Sequence, residues 1–166
     1  MDSPNREEVK LLERRLLTSY DFDTLANALG AHMLREAEKG HPLRHLMDLK
    51  KVRQWLMWGF RGDPSTGVLD VFEAGDEIVG ALGWAVAPIP WGRYSALKEL
   101  TVFSVGHERA GFGRVVLERL RHLADKHNCA IIETGSALCT DPALLRNLYM
   151  GHGGFQWSYP NFVKVL

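Results

Sequence analysis

The chain carries LTVF at residues 100–103 and, a few residues later, HERAGFGR at residues 107–114. The first stretch ends a predicted strand, and the second leads into a helix predicted over residues 113–127. Glycines in such a loop let backbone N–H groups approach an anion at the helix N-terminus, an arrangement that suits a pyrophosphate. A tight structural turn explains the same Gly-x-Gly spacing, so the spacing alone leaves both interpretations open.

Two other phosphate-binding motifs do not fit this loop. The dinucleotide fingerprint needs a third glycine in an early βαβ unit. A P-loop needs Gly-Lys followed by Ser or Thr. Neither pattern occurs in HERAGFGR or directly after it.

The hydrophobic pattern around the loop predicts a mixed α/β chain in the order (β)ααβββαβαββ. Further helices are predicted from Asp23 to before Gly40, over 49–60 after the cap Asp48, and over 141–149. Strands are predicted over residues 68–74, 77–86, 96–103, 130–134, 155–158 and 162–166, with 130–134 a buried strand. Within the N-terminal 22 residues, a helix and a strand over 15–20 compete, and we predict a short helix followed by a strand.

Composition favours one domain spanning residues 1–166. Of the 166 residues, 46% are hydrophobic and 24% are charged, which is enough to bury a sizeable core. Twenty Lys plus Arg balance twenty Asp plus Glu, so the formal net charge is 0. No global field draws such a chain to nucleic acid or anionic lipid, and nucleic-acid binding is disfavoured.

A membrane segment is also disfavoured. The longest uncharged stretch, residues 78–92, contains Pro88 and Pro90. It is shorter than the roughly 20 apolar residues that a spanning helix needs. The first residues lack an apolar signal core, and Cys129 and Cys139 make no disulfide framework. We therefore expect a cytoplasmic protein.

In this order of elements, LTVF (100–103) and ERAGFGRVVL (108–117) resemble the core motif of the GNAT superfamily of acyl-CoA-dependent N-acyltransferases. The resemblance covers about residues 24–166 and includes Gly-Gly-Phe near the end. Residues 41–52 and 132–136 are similar to small phage-encoded and bacterial members. The resemblance implies a GNAT-like α/β fold with a mixed, mostly antiparallel sheet of about 6–7 strands, flanked by about 4 helices.

The resemblance also implies a function, the transfer of an acetyl group from acetyl-CoA to a primary amine by direct attack. The acceptor is a small-molecule or protein amine, and its pocket is expected at the first two helices and the 87–95 loop. A homodimer is left open. By resemblance, the residues that hold acetyl-CoA are Thr101, Val102, Phe103, Arg109, Ala110, Gly111, Phe112, Gly113 and Arg114.

The loop departs from the family pattern at one position. Glu108 stands where the family has Arg or Gln, and a carboxylate there repels phosphate unless it points away. Arg109 and Arg114 are expected to supply the missing positive charge. This departure favours the alternative hypothesis of a GNAT-fold protein without turnover, serving as a binding or structural subunit.

Two catalytic candidates follow from the resemblance. Glu99, on the strand before the loop, is expected to take a proton from the amine, with Glu133 as a second candidate. A surface Glu in a salt bridge is the alternative for Glu99. Tyr149 is expected to protonate the departing thiolate, although a buried core tyrosine explains it equally. It stands six residues before Phe155, whereas the family tyrosine stands five before that phenylalanine.

Other chemically suggestive residues have structural interpretations. Cys129 and Cys139 lack a paired base and are expected to be buried small hydrophobes. The seven histidines show no metal-ligand spacing, so no metal site is predicted. The tryptophan pairs 55/58 and 84/91 are expected to pack in the core and at its rim.

Overall fold

The computed structural model describes residues 13–38, 48–90, 92–105, 111–134, 143 and 146–156. Along the chain its elements are β1 Glu13–Leu16, a 3₁₀ turn Ser19–Asp21, α1 Phe22–Glu38, α2 Leu49–Gly59, β2 Val68–Ala74, β3 Glu77–Pro88, β4 Ser95–Ser104, α3 Phe112–Lys126, β5 Cys129–Glu133 and a π-helical turn Asn147–His152. The predicted order of strands and helices is confirmed within these residues.

The strands form one sheet in the order β1-β2-β3-β4-β5. Neighbours are antiparallel from β1 to β4, whereas β4 and β5 run parallel. The predicted mixed, mostly antiparallel sheet is confirmed with five strands in the described part of the chain, fewer than the 6–7 expected. Residues 155–156 are not in a strand, and the strand expected over 162–166 lies outside the described residues.

Each face of the sheet carries its own hydrophobic core, because side chains alternate between the faces along every strand. The first core joins α3 and Tyr149 to the sheet, and its sheet residues are Val68, Phe72, Leu82, Trp84 and Leu97. The second core joins α1 and α2 to the opposite face through Leu69, Val71, Ala81 and Phe103. We call these the α3 face and the α1/α2 face.

Local sequence explains the ends of the helices that frame the site. Asp48 caps α2, its carboxylate accepting hydrogen bonds from the backbone N–H groups of Lys50 and Lys51, as predicted. The helix α3 begins after Gly111, whose φ of 96° is the left-handed conformation that glycine adopts without strain. The apolar stripe predicted for α3 is buried, including Val116, Leu120 and Leu123.

Two predictions at the edges of the sheet need correction. The first strand is Glu13–Leu16, earlier and shorter than the predicted 15–20. Leu16, which shares an apolar face with Val9 and Leu12 in the predicted N-terminal helix, lies in this strand, and residues 1–12 are outside the described residues. The strand β5 is not buried, since Ile131 is 44% exposed. Alternation explains this, because Ile132 packs on the α3 face and Ile131 points away from it.

The described helices include none that is long and apolar enough to cross a membrane.

Candidate functional site

The parallel pairing of β4 and β5 ends midway along β4. Their paired residues run from Ser95↔Cys129 to Lys98↔Glu133. The strand β5 ends at Glu133, whereas β4 continues to Ser104. The second half of β4, residues 99–104, therefore has no β5 partner within the described residues. We call the side of β4 along this half the cleft.

A β-bulge lies at the point where the cleft begins. Across β3 and β4, Trp84 pairs with Glu99 and Gly83 pairs with Thr101, so Leu100 is an extra residue in β4. A bulge bends its strand and moves the following side chains to the other face. Leu100 itself is 42% exposed.

Because of the bulge, the predicted alternation along β4 is wrong beyond Glu99. The sequence places Leu97, Glu99, Thr101 and Phe103 on one face. In the structure, Glu99 lies opposite Trp84 on the α3 face, whereas Phe103 lies opposite Ala81 on the α1/α2 face. The bulge thus separates Glu99 from the residues that follow it in the predicted set.

The two predicted catalytic side chains meet on the α3 face. The Tyr149 hydroxyl donates a hydrogen bond to Glu99 Oε2 with an O···O distance of 2.5 Å. Tyr149 is only 8% exposed, and Glu99 is half-buried. A phenol and a carboxylate fifty residues apart in sequence therefore form one unit beside the cleft.

A π-helical turn brings Tyr149 to this position. Over Asn147–His152 the helix is wider than an α-helix, and the Gly153 N–H donates to the Leu148 carbonyl five residues back. The wider turn accommodates the extra residue between Tyr149 and Phe155. Tyr149 is a buried member of the core on the α3 face, as the alternative of a core tyrosine expects, and its hydroxyl also bonds Glu99.

Contacts from α3 and from the following segment hold the π-helical turn. The Arg121 guanidinium donates to the carbonyls of His152 and Gly153, at 3.4 Å and 2.9 Å. The Phe155 ring packs edge-on against Tyr149 with a centroid separation of 5.5 Å. These contacts, from α3 on one side and from the segment after the turn on the other, fix the position of the Tyr149 phenol.

The N-terminus of α3 presents backbone amides beside the same turn. Phe112 and Gly113 occupy the first two helical positions, where no intrahelical carbonyl is available to an N–H group. The Phe112 side chain is a core residue, 8% exposed and edge-on against Phe72. Only its backbone is thus available to a ligand. Arg109 and Ala110, predicted in the same loop, lie outside the described residues, as does Glu108.

Gly113 has a packing role that the sequence did not indicate. A Cβ at this position would lie 2.8 Å from Leu148 Cδ1, so the absence of a side chain lets the π-helical turn approach α3. Arg114, the next residue, is exposed.

The remaining predicted β4 residues flank the bulge. Thr101 and Val102 are half-buried, and Phe103 is buried at 3% exposure in the core beneath α1 and α2. Val102 lies opposite Leu82 and packs with the α3 core. Backbone groups, rather than the Phe103 side chain, are what this part of β4 offers to the cleft.

The second base candidate, Glu133, forms an ion pair with Lys98 at 3.3 Å on the last paired step of β4 and β5. Cys129 is half-buried, and burial raises the pKa of its thiol, which disfavours a thiolate nucleophile. The other predicted cysteine, Cys139, lies outside the described residues. Among the residues that the structure describes, no three His, Cys, Asp or Glu side chains come together as metal ligands.

The tryptophans divide into two classes. Trp84 is buried at 4% exposure, which confirms its predicted core position. Trp55 and Trp58 are 40% and 64% exposed on α2, so neither is in the core. The Trp55 ring packs edge-on against the buried Phe60 with a centroid separation of 4.9 Å, which is the rim position that the sequence also allowed. The Arg61 guanidinium lies 5.3 Å from the Trp58 ring centroid. Trp91 lies outside the described residues.

A buried charge cluster on the α3 face was missed by the sequence analysis. Asp70 is 0% exposed, and its carboxylate accepts from Arg14, Arg119 and the Trp84 indole N–H at 3.0 Å, 2.8 Å and 3.2 Å. The signal was a lone Asp within the apolar strand VLDVF, because a buried carboxylate requires partners. Since Trp84 also lies opposite Glu99, the cluster borders the site.

A second buried carboxylate lies at the end of β1. Asp21 is 3% exposed and accepts two hydrogen bonds from Arg15, at 2.6 Å and 2.8 Å. Burial raises the pKa of Asp21, but hydrogen bonds from Arg15 and Thr18 outweigh it and hold the pKa below its usual value. This cluster stabilises the fold away from the cleft.

Similarity to known proteins is found at the level of three-dimensional structure. No family model and no curated protein matches the sequence. A GNAT family acetyltransferase from Staphylococcus aureus subsp. aureus USA300_TCH1516 superposes with a TM-score of 0.59 at 16% identity, over 93% of this chain and 98% of that one. A ribosomal-protein-alanine N-acetyltransferase from Brucella melitensis biovar Abortus 2308 gives 0.67 at 14%, over 93% and 99%.

A third similar structure is a predicted acetyltransferase with acetyl-CoA from Clostridium acetobutylicum. Its TM-score is 0.65 at 16% identity, over 93% of this chain and 96% of that one. These similarities cover nearly all of each chain. At sequence identities of 14–16% they show a shared fold and nothing finer. The chain therefore has the fold of these acetyltransferases, one of which is a GNAT family member.

Proposed function

We propose that this protein is an N-acetyltransferase that transfers the acetyl group of acetyl-CoA to a primary amine by direct attack. The observation that carries the proposal is the Tyr149–Glu99 hydrogen bond, located where the pairing of β4 and β5 ends. A proton acceptor and a proton donor lie together there, beside a strand edge and a helix N-terminus. Amine acetylation needs both groups, because the amine loses a proton and the leaving sulfur gains one.

The residues around the cleft fit acetyl-CoA. The first amides of α3, with Gly111 in its left-handed conformation, form an N-terminal anion site of the kind that holds phosphate. The exposed Arg114 adds positive charge beside them, and Arg109 is proposed to do the same. Backbone groups of β4 at residues 101–103 would hold the remaining length of the molecule. When bound, acetyl-CoA supplies an activated thioester carbonyl.

The proposed roles of the side chains follow from their chemistry. Glu99, half-buried at the bulge, takes the proton of the attacking amine on its carboxylate. Tyr149 gives its hydroxyl proton to the departing sulfur. Glu133 is less suited to the base role, since its carboxylate is paired with Lys98.

Binding and turnover separate this proposal from its alternative. Acetyl-CoA is titrated into the protein by calorimetry, and free thiol release is then followed with a panel of amines. A ribosomal-protein-alanine N-acetyltransferase is among the similar structures, so the panel includes N-terminal alanine peptides as well as small amines. Binding with turnover supports the enzyme. Binding without turnover across the panel favours a binding or structural subunit, and absence of binding rejects both.

The site of acetyl-CoA is tested with Arg114→Ala. Removing a charged hydrogen-bond partner of phosphate is expected to weaken binding roughly tenfold. The matched control is Arg93→Ala, another exposed arginine, in the loop before β4. Valine at Gly113 is a poor probe, because the side chain would clash with Leu148 whether or not phosphate binds there.

A further inference from the structure

The Tyr149–Glu99 hydrogen bond constrains how the tyrosine can act as an acid. Its proton points at the Glu99 carboxylate, with the two oxygens 2.5 Å apart. While Glu99 is ionised, the carboxylate is acceptor-only and the phenol must be the donor. The tyrosine proton is therefore held by the base rather than offered to the leaving sulfur.

Protonation of Glu99 reverses this arrangement. A carboxylic acid carries an O–H group and can donate to the Tyr149 oxygen, which also accepts. The phenol O–H is then free to rotate towards another acceptor. The Tyr149 ring is held by Phe155 and is 8% exposed, so only the hydroxyl needs to turn.

Building on the proposed function, we infer that Glu99 and Tyr149 form a proton relay in which the tyrosine becomes an acid only after Glu99 has taken the amine proton. Glu99 receives a proton from the amine nitrogen. Tyr149 gives its hydroxyl proton to the departing sulfur as the carbon–sulfur bond breaks, and Glu99 returns its proton to the phenol oxygen. One proton has moved from nitrogen to sulfur, and both side chains end in their starting states.

The relay coordinates the two proton transfers. A phenol that protonated the sulfur without support would be left as a phenolate in a mostly buried site, where an uncompensated charge is costly. Transfer of the proton from Glu99 to the phenol oxygen neutralises the phenolate as it forms and so removes that cost. The burial of Tyr149 favours internal return of the proton over loss to solvent.

The first test needs no substrate. The short O–H···O bond is expected to give a low-field hydroxyl proton resonance that exchanges slowly in the free protein. Tyr149→Phe should remove it, and Glu99→Gln should move it to higher field, because a neutral amide accepts more weakly than a carboxylate. Tyr94→Phe, at a tyrosine 62% exposed, should leave it unchanged. A spectrum that is the same in Tyr149→Phe and the parent would overturn the inference.

The second test is a double-mutant cycle on kcat with acetyl-CoA and the fastest amine. Tyr149→Phe alone is expected to lower kcat by roughly 10²-fold. In the Glu99→Gln background it should change kcat by less than about twofold, because residues that act as a unit are not additive. Multiplicative losses would mean that the two residues act independently and would overturn the relay.

A proton inventory in mixtures of H2O and D2O gives a readout that a structural role would not move. The relay predicts that kcat of the parent follows a curve when plotted against the fraction of D2O, because more than one proton moves in the transition state. In Tyr149→Phe the same plot should be a straight line. A tyrosine that only packs would instead lower the melting temperature and leave the inventory unchanged, which would also overturn the relay. Failure of the proposed function is distinct, since the parent would then release no thiol with any amine.

Discussion

Two carboxylates on the α3 face of the sheet, Asp70 and Glu99, are partnered in different ways. Asp70 is 0% exposed and accepts from two guanidinium groups and an indole. Glu99 is half-buried and accepts from the Tyr149 phenol. Trp84 links the two, because its indole N–H bonds Asp70 and its position in β3 is opposite that of Glu99.

The difference between the two lies in what the partners can do with a proton. A guanidinium keeps its proton in proteins, so the two arginine partners of Asp70 cannot pass a proton to another group. A phenol has an ordinary pKa near 10 and can give up its proton when a suitable acceptor appears. The same side-chain chemistry therefore stabilises the fold at Asp70 and is proposed to move a proton at Glu99.

The largest effect is expected from Asp70→Asn, which tests the structural side of this comparison. The change leaves two arginines facing a neutral group, and breaking a buried ion pair in this way costs about 3–5 kcal/mol. Denaturant unfolding measures the loss of unfolding free energy. Asp76→Asn, in the exposed turn between β2 and β3, is the control and should stay within about 0.5 kcal/mol. Equal stability of the two variants would contradict the structural role.

Glu99→Gln tests the proposed role of Glu99 in proton transfer. The amide keeps the size of the side chain and can still accept from Tyr149, so the unfolding free energy should change by less than about 1 kcal/mol. Turnover should fall by roughly 10²-fold, the usual scale for proton transfer. The control is Glu118→Gln, on the exposed side of α3. Retained turnover would move the base role to Glu133 or to water.

Arg15→Gln extends the comparison to Asp21, a third carboxylate, and to pH. Since the folded pKa of Asp21 lies below its unfolded value, its contribution is fully present above about pH 3.9 and is lost as the pH falls through the folded pKa. Arg15 also bonds Glu73 at 2.8 Å. The variant should lose roughly 1.5–3 kcal/mol at neutral pH, and its acid unfolding should begin at a higher pH.

Acid titration of the unfolding free energy measures this shift. Arg35→Gln, at an exposed arginine on α1, is the control and should unfold at the same pH as the parent. An acid transition of Arg15→Gln that coincides with the parent would show that Arg15 does not set the pKa of Asp21.

The smallest effect is expected at His127, whose ring centroid lies 5.3 Å from that of Trp84. Burial, with Lys126 and Arg119 nearby, lowers the His127 pKa, so the fold favours the neutral ring. Stability should therefore fall as the pH drops from the unfolded value of about 6.5 towards the lower folded pKa. His127→Phe keeps a ring there and should flatten this slope with little change at pH 8. The control His122→Phe, at an exposed position, should retain the slope.

Elements whose signal is local could be predicted from the sequence. The hairpin of β2 and β3 around the Gly75-Asp76 turn follows from alternation and turn chemistry, and α3 follows from its apolar stripe. The resemblance also supplied Glu99 and Tyr149 as candidates. These inferences succeed because the periodicity of a strand or helix is written in the order of its own residues.

Features that depend on contact between distant segments could not be predicted. A regular alternation over residues 97–103 leaves no place for an extra residue, and the bulge at Leu100 exists only in the pairing of β4 with β3. The partners of Asp70 come from β1, β3 and α3. A local pattern indicates that such a carboxylate needs partners, but not which residues they are.

By itself, the sequence determined the types of the main elements, their order and the glycine-rich start of α3, because backbone preference and hydrophobic period act over a few neighbouring residues. The tertiary structure decided that Glu99 leaves the face of Phe103, and that a widened helical turn brings Tyr149 to Glu99. The 2.5 Å hydrogen bond between these side chains depends on strand register, on a bulge and on the packing of Leu148 against Gly113. Each of these is a relation between segments far apart in the chain, and only the folded structure fixes it.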